Sequence, residues 1–279
     1  MIINNESYES VIPTAILTAY PRTLTDIPFS KEIFKELDEE LVTENLKKDI
    51  LAPELEARFK LTSDLLHKSK IKQVLELASG YSTRGLELTK DNDAFTYVEL
   101  DLDEVAKRKK QIISTFTDIP NNLHILSGNA LDKEVFKNIE KYFDCNNELA
   151  IINEGLLRYL DFDEKKKVAN NIHMLLKKCG GIWITCDVTP KKFITNQDLN
   201  IQDFNKNLSS ISGRNNSSWR FENIEQVKEF YGNIGFSVEE IHPFIEIKEQ
   251  LSSPSKLNLN DEDVERLLLD AIVVVMKLK

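Results

Sequence analysis

The stretch VLELASGYSTRGLEL, residues 74–88, decides the fold. An apolar run carrying Glu76 passes through a short loop and enters a segment with helical spacing. Strand, tight loop and helix form the opening unit of a nucleotide-binding α/β half. A dinucleotide site there needs several glycines, because the backbone must approach a pyrophosphate at the helix N-terminus. The loop Ala78–Thr83 has only Gly80, followed by the bulky Tyr81. It is a poor pyrophosphate cradle and suits a ligand without phosphates.

The rhythm continues on both sides. Upstream, residues 1–70 read as helical, with apolar residues three and four apart in SKEIFKELDEELV (30–42) and APELEARFKLTSDLLHKS (52–69). Downstream, apolar strands at 94–100, 123–128, 149–155 and 181–188 alternate with amphipathic helices. Such alternation predicts a mostly parallel sheet of the Rossmann-like α/β class, covered on both faces. After Asp187 the pattern breaks into a polar, small-residue segment, and 189–222 reads as an insertion on the substrate side. A helix at 223–235 and two closing strands, 236–244 and 269–278, follow; the last has no crossover helix and can run antiparallel. The expected organisation is an N-terminal helical cap, 1–70, on a seven-stranded domain, 71–279.

Bulk composition excludes several classes. With 36 basic and 46 acidic residues the formal net charge is −10, which argues against nucleic acid and anionic membrane as partners. The run KRKKQ, 107–111, reads as a solvated helix face. Three cysteines without a CxxC pair suggest no disulfide framework and fit a reducing cytoplasm. The apolar stretch near the N-terminus is short and holds a proline, which reads as neither signal peptide nor membrane anchor.

The carboxylates define the ligand. Glu76 near the end of the first strand would repel phosphate and attract an ammonium or sulfonium. In VELDLDE, Asp101 lies 21 residues after Gly80, near the spacing of a carboxylate that accepts ribose hydroxyls; Glu99 belongs to the same motif. A nucleoside with a cationic tail is S-adenosylmethionine (SAM). Each carboxylate also has a plainer reading as a helix cap. In LSGNALD (126–132), Asn129 and Ala130 hold the positions that contact an adenine edge in this class of fold, or form a simple turn. Glu154 leaves the apolar LAIIN, where a buried carboxylate needs a cation or marks a site.

Together ELASGYSTR, VELDLDEV, GNALD and EGLLRYL resemble, in order and spacing, the leucine carboxyl methyltransferase family, with its bacterial O-methyltransferases linked to polyketide biosynthesis. The segment PTAILTAYPRT (13–23) is similar to the family's N-terminal helix, and the resemblance runs from about residue 10 to 188. Departures are Ala78 for the first loop glycine, Ser82 for the loop aspartate, Asp103 for the proline of the second motif and Asn129 for the adenine-side acid. The resemblance implies a class I SAM-dependent fold, with S-adenosylhomocysteine (SAH) as the product and no metal. It further implies that Arg58 pairs with the methionine carboxylate and that Glu154 approaches the methionine ammonium. The cofactor set is then Arg58, Glu76, Ala78, Gly80, Glu99, Asp101, Asn129, Ala130 and Glu154.

Methyl transfer from a sulfonium expels a neutral thioether, so positioning and desolvation suffice when a carboxylate is the acceptor. The absence of HExxH, a serine elbow and clustered metal ligands agrees. Four scattered histidines offer no obvious base for a hydroxyl acceptor. Tyr159 stands as a candidate wall of the methyl site, or as packing. Arg214, Trp219 and Arg220 are the recognition-capable side chains of the insertion, and an arginine there can orient a carboxylate. A small-molecule acceptor is favoured over a protein C-terminus, and a homodimer is compatible. Two rivals are a nicotinamide-dependent oxidoreductase, disfavoured by the single-glycine loop and by Asp163 where Tyr159 would need a following lysine, and a non-catalytic SAM- or SAH-binding protein on the same fold.

Overall fold

A computed structural model describes residues 12–37, 49–188, 190–191, 219–269 and 271–279. Arg214 and nearly all of the 189–222 segment lie outside them. The seven strands are β1 (Gln73–Leu77), β2 (Thr96–Asp101), β3 (Leu123–Ser127), β4 (Leu149–Asn153), β5 (Gly181–Thr185), β6 (Phe236–Pro243) and β7 (Ile272–Leu278). They form one sheet in the order β3-β2-β1-β4-β5-β7-β6. The first five pair in parallel, and β7 runs antiparallel between β5 and β6. The order reverses between β1 and β4, which opens a crevice at the carboxyl ends of these strands.

Strand alternation divides the interior into two cores. Val74, Tyr97, Ala150, Ile152, Ile184 and Val273 face one side with α1 (Ile12–Arg22), α2 (Ser30–Lys35), α3 (Ala52–Ser69), α4 (Arg84–Thr89) and α5 (Asp103–Phe116). Leu75, Leu77, Val98, Ile151, Trp183 and Val274 face the other with α6 (Lys133–Ile139), α7 (Phe162–Cys179) and α8 (Ile224–Gly232). The N-terminal helices therefore share an apolar core with the sheet. Between β6 and β7 stand two short helices without counterpart in the sequence reading, α9 (Ser253–Lys256) and α10 (Asp261–Leu268); Asn260 caps the latter by accepting the Asp263 N–H at 2.9 Å.

Two sequence expectations are corrected. Cys145 and Cys179 are joined in a disulfide between the loop before β4 and the end of α7, a pairing that the cysteine count had not suggested. Lys109, inside the basic run 107–111, does not belong to a solvated face: it is 1% exposed, with Nζ 2.5 Å from a Glu99 carboxylate oxygen. Its neighbours Lys107, Arg108 and Lys110 are exposed, as the periodicity of α5 requires.

Candidate active site

The turn after β1 sets the site. Ala78 and Gly80 both adopt the left-handed conformation, with φ of 51° and 49°. That conformation is free for glycine and strained for alanine. It aims the Gly80 N–H at Asp101 Oδ2, 2.6 Å away, while Asp101 Oδ1 accepts the Leu102 N–H at 2.7 Å. The carboxylate at the end of β2 thus locks the loop after β1. Burial raises its pKa, and the two N–H donors and Lys109 oppose that shift.

Three adjoining cavities open along this edge. The first, about 620 Å³, runs from Gly80 and Asp101 to Arg22, Arg58, Glu154 and Arg158. The second, about 570 Å³, is mainly apolar and is lined by Leu100, Gly128, Asn129, Ala130, Leu131 and Leu160 among others. Ala78, Asp101, Leu102, Gly155 and Tyr159 border both. The third, about 620 Å³, shares Arg58 and Arg158 with the first and reaches Lys165, Cys186, Trp219 and Arg220.

At the far end of the first cavity lies a buried cluster of charges. Arg84, at the start of α4, is fully buried; its guanidinium bonds Glu76 at 2.5 Å and also Glu154, and its Nε donates to Ser63 Oγ at 3.0 Å. Glu154 also pairs with Arg58 Nε at 3.2 Å. Although burial pushes the Glu154 carboxyl up, Arg84, Arg58 and Arg22 together bring it below its ordinary value. Arg22 is 6% exposed, and its Nε is buried without a hydrogen-bond partner. Burial and the neighbouring Arg58 depress its pKa to about 10. Among the described residues this cluster sets three guanidiniums against two carboxylates, leaving one positive charge in surplus beside the cavity.

The loop that carries Glu154, Arg158 and Tyr159 is pinned from β5. Asp187 accepts N–H groups from Gly155 at 2.7 Å, Leu156 at 2.7 Å and Leu157 at 3.0 Å, and the Asn153 amide at 2.7 Å. Asn153 in turn accepts Trp183 Nε1 at 2.7 Å. A capping box between Asp161 and Glu164 then starts α7 and sets Lys165 against the third cavity.

Arg58, Ala78, Gly80, Asp101, Asn129, Ala130, Glu154 and Tyr159 therefore gather on the first two cavities, and Trp219 and Arg220 line the third. Glu76 and Glu99 line none of the three. Glu76 points into the core, held by Arg84 and by the Tyr97 hydroxyl at 2.9 Å. Glu99 is buried against Lys109, and burial lifts its pKa to about 7 against the pull of that lysine. Both lie deeper along their strands than Asp101, which shares a sheet face with Glu99 but stands at the carboxyl end of β2. Arg22, Arg84 and Asp187 escaped the sequence reading. Arg84 lies in the motif YSTR, the one signal that pointed toward it.

The sheet order, the glycine turn and the carboxylate after β2 define a class I methyltransferase fold. The family model for leucine carboxyl methyltransferase matches residues 22–173, more than half of the chain. The chain belongs to the leucine carboxyl methyltransferase family. No curated protein sequence matches it. Among solved structures, a putative methyltransferase from Thermobifida fusca superposes with a TM-score of 0.57 at 14% identity, covering 98% of this chain and 95% of that one. The mitomycin 7-O-methyltransferase MmcR gives 0.52 at 11% identity, covering 95% and 75%. A putative O-methyltransferase from Nostoc punctiforme gives 0.50 at 15% identity, covering 82% of this chain but only 58% of that protein. Human N-acetylserotonin methyltransferase, solved with SAM, gives 0.50 at 10% identity, covering 90% and 59%. At these identities the likeness is one of fold. Among the described residues no helix is long and apolar enough to cross a membrane, and no cluster of His, Cys, Asp and Glu is arranged to hold a metal ion.

Proposed function

We propose that the protein is a SAM-dependent O-methyltransferase acting on a carboxylate or hydroxyl of a small molecule. The observation that carries this reading is the first cavity, with a carboxylate at one end and a surplus cation at the other. Asp101 suits ribose hydroxyls. The Arg22–Arg58–Glu154 cluster suits a zwitterionic amino acid, with Glu154 toward the ammonium and Arg22 and Arg58 toward the carboxylate. In the adjoining apolar cavity the Asn129 Nδ2 is buried without a partner, while Oδ1 accepts the Leu131 N–H at 2.9 Å. That orphaned donor suits the acceptor edge of an adenine. A Cβ added at Gly80 would meet Ala15 Cβ at 3.7 Å, an ordinary contact, so the positive φ rather than lack of room favours glycine there. These groups fit the cofactor.

Held by Asp101, Asn129, Glu154, Arg22 and Arg58, the bound cofactor would supply an electrophilic methyl group whose transfer to oxygen would leave a neutral thioether. The chain contributes alignment. Tyr159, on the border of the first two cavities, walls the place of transfer. The Asp187 hydrogen bonds hold its loop so that Arg58 and Glu154 keep their place. Burial excludes water from the charged end, where electrostatic contacts are strongest. A carboxylate acceptor needs no base; a hydroxyl acceptor must lose its proton to a neighbouring group or to water.

Calorimetric titration with SAM and with SAH, beside Asp101→Ala, tests the reading. Micromolar binding that the variant loses is the expected result. Absence of heat from either ligand refutes it and leaves a protein that keeps the family fold without its cofactor.

A further inference from the structure

The third cavity carries a charge pattern that the cofactor does not explain. Four cations line it: Arg58, Arg158, Lys165 and Arg220. Arg58 is paired with Glu154. Lys165 is 1% exposed and donates to the Leu160 carbonyl and, at 2.9 Å, to the Trp219 carbonyl. Two carboxylates share the lining, Asp187 and Glu54. Asp187 is committed to its four N–H donors. Among the described residues Glu54 is then the one carboxylate left opposite two guanidiniums, those of Arg158 and Arg220. Among the described residues neither arginine makes an ion pair or hydrogen bond. They do sense each other: burial and then Arg158 depress the pKa of Arg220 to about 10. Two half-buried like charges held toward one space are costly unless an anion joins them.

Deepening the proposed methyltransferase reading, on which this rests, we propose that Arg158 and Arg220 grip a carboxylate of the acceptor as a handle separate from the oxygen that is methylated. A guanidinium presents a planar fork that matches a carboxylate, and two forks over one cavity exceed what Glu54 neutralises. Position favours the acceptor over the cofactor, because Arg220 lines only the third of these cavities whereas Arg158 stands on the wall between the third and the first. An anion gripped here lies next to the place of transfer. A carboxylate whose lone pairs are engaged by two guanidiniums is a weak nucleophile. The reacting oxygen is therefore a second group of the same molecule, a hydroxyl or another carboxyl, reaching past Arg158 toward Tyr159.

The test starts with protein saturated with SAH, so that failure of the cofactor reading is seen first and separately. Glutarate and 4-hydroxybenzoate are then titrated against their neutral amides, glutaramide and 4-hydroxybenzamide. The acids are expected to bind at least tenfold more tightly than the amides. Arg220→Ala should erase that preference while leaving SAH affinity within twofold, and Arg220→Lys should keep part of it. With SAM present, 4-hydroxybenzoate should give the methyl ether with its carboxyl free. The proposal is overturned if no acid outbinds its amide, if Arg220→Ala and Arg220→Gln both retain the preference, or if the product is the methyl ester or no acid is methylated at all.

Discussion

Replacing Arg84 by methionine tests the charged cluster most directly. The side chain is fully buried and makes two ion pairs, to Glu76 and Glu154, together with bonds to Ser63 Oγ and the Phe59 carbonyl. Its guanidinium carbon also lies 4.5 Å from the centre of the Phe59 ring. Methionine fills much of the volume but leaves two buried carboxylates short of a cation. Glu76 keeps the Tyr97 hydroxyl, and Glu154 keeps Arg58. Breaking a buried pair from one side typically costs about 3–5 kcal/mol. We expect about 4 kcal/mol in urea unfolding followed by circular dichroism, a large part of the roughly 5–15 kcal/mol available to a domain. The pH dependence has a definite sign. Glu154 is held below its ordinary value in the folded wild type. Its contribution is thus present above the unfolded pKa, about 4.3, and is lost as pH falls through the folded value. The gap between wild type and variant should accordingly narrow below about pH 4. Adding Glu76→Gln to the variant should restore part of the loss. A loss under about 1 kcal/mol, or a gap that widens in acid, would refute the assignment of Arg84 as the cation that holds both carboxylates.

Other expectations follow from the same geometry. Ala78→Gly relieves a left-handed alanine while loosening the unfolded chain, and should stabilise by about 0.5–1 kcal/mol with SAM affinity unchanged, as a melting curve and a titration can show. At Gly85 an added Cβ would stand 2.4 Å from Glu99 Oε1 and 2.9 Å from Leu123 Cδ1, so Gly85→Ala should destabilise by about 1–3 kcal/mol, measured by chemical unfolding. Burial lowers the Lys165 pKa to about 8, so the folded state gives up its proton before the unfolded chain does, and stability should rise from about pH 8 toward 10. Lys165→Met should flatten that rise, seen as the difference between the two unfolding curves across this range. Asp187→Ala removes the anchor of three backbone N–H groups and should weaken SAM binding at least tenfold while the circular dichroism spectrum is retained.

The sheet was legible because each strand is a short apolar run bounded by turn residues, and the alternation with helices admits few topologies. The sequence pattern left the direction of β7 open, and the structure runs it antiparallel between β5 and β6. The helices α9 and α10 were not legible, since SPSK and DEDVERLL are too short to show a period against their charged surroundings. At the site, Gly80, Asp101 and Glu154 were found because their positions at strand ends are fixed by connectivity. Glu76 and Glu99 show where that logic stops: they lie in register and short of the strand end, where a carboxylate meets buried cations rather than the crevice, and only the partners Arg84 and Lys109 reveal this. Arg22 was hidden because α1 reaches the cavity through a tertiary approach that local spacing does not encode. The disulfide escaped for the same reason, its cysteines being 34 residues apart with no motif between them.

The placement of β7 has a consequence for how the chain is made. Among the described residues strand β6 finds its sheet partner only in β7, which emerges from the ribosome later and must slide between β6 and β5. Until residues 272–278 are synthesised, β5 presents an open edge and β6 has no strand to bond. The nascent protein is thus a five-stranded parallel platform followed by a lone unpaired strand, and β7 acts as a zip that joins the two. Chaperone capture should be strongest in that interval, before the zip closes.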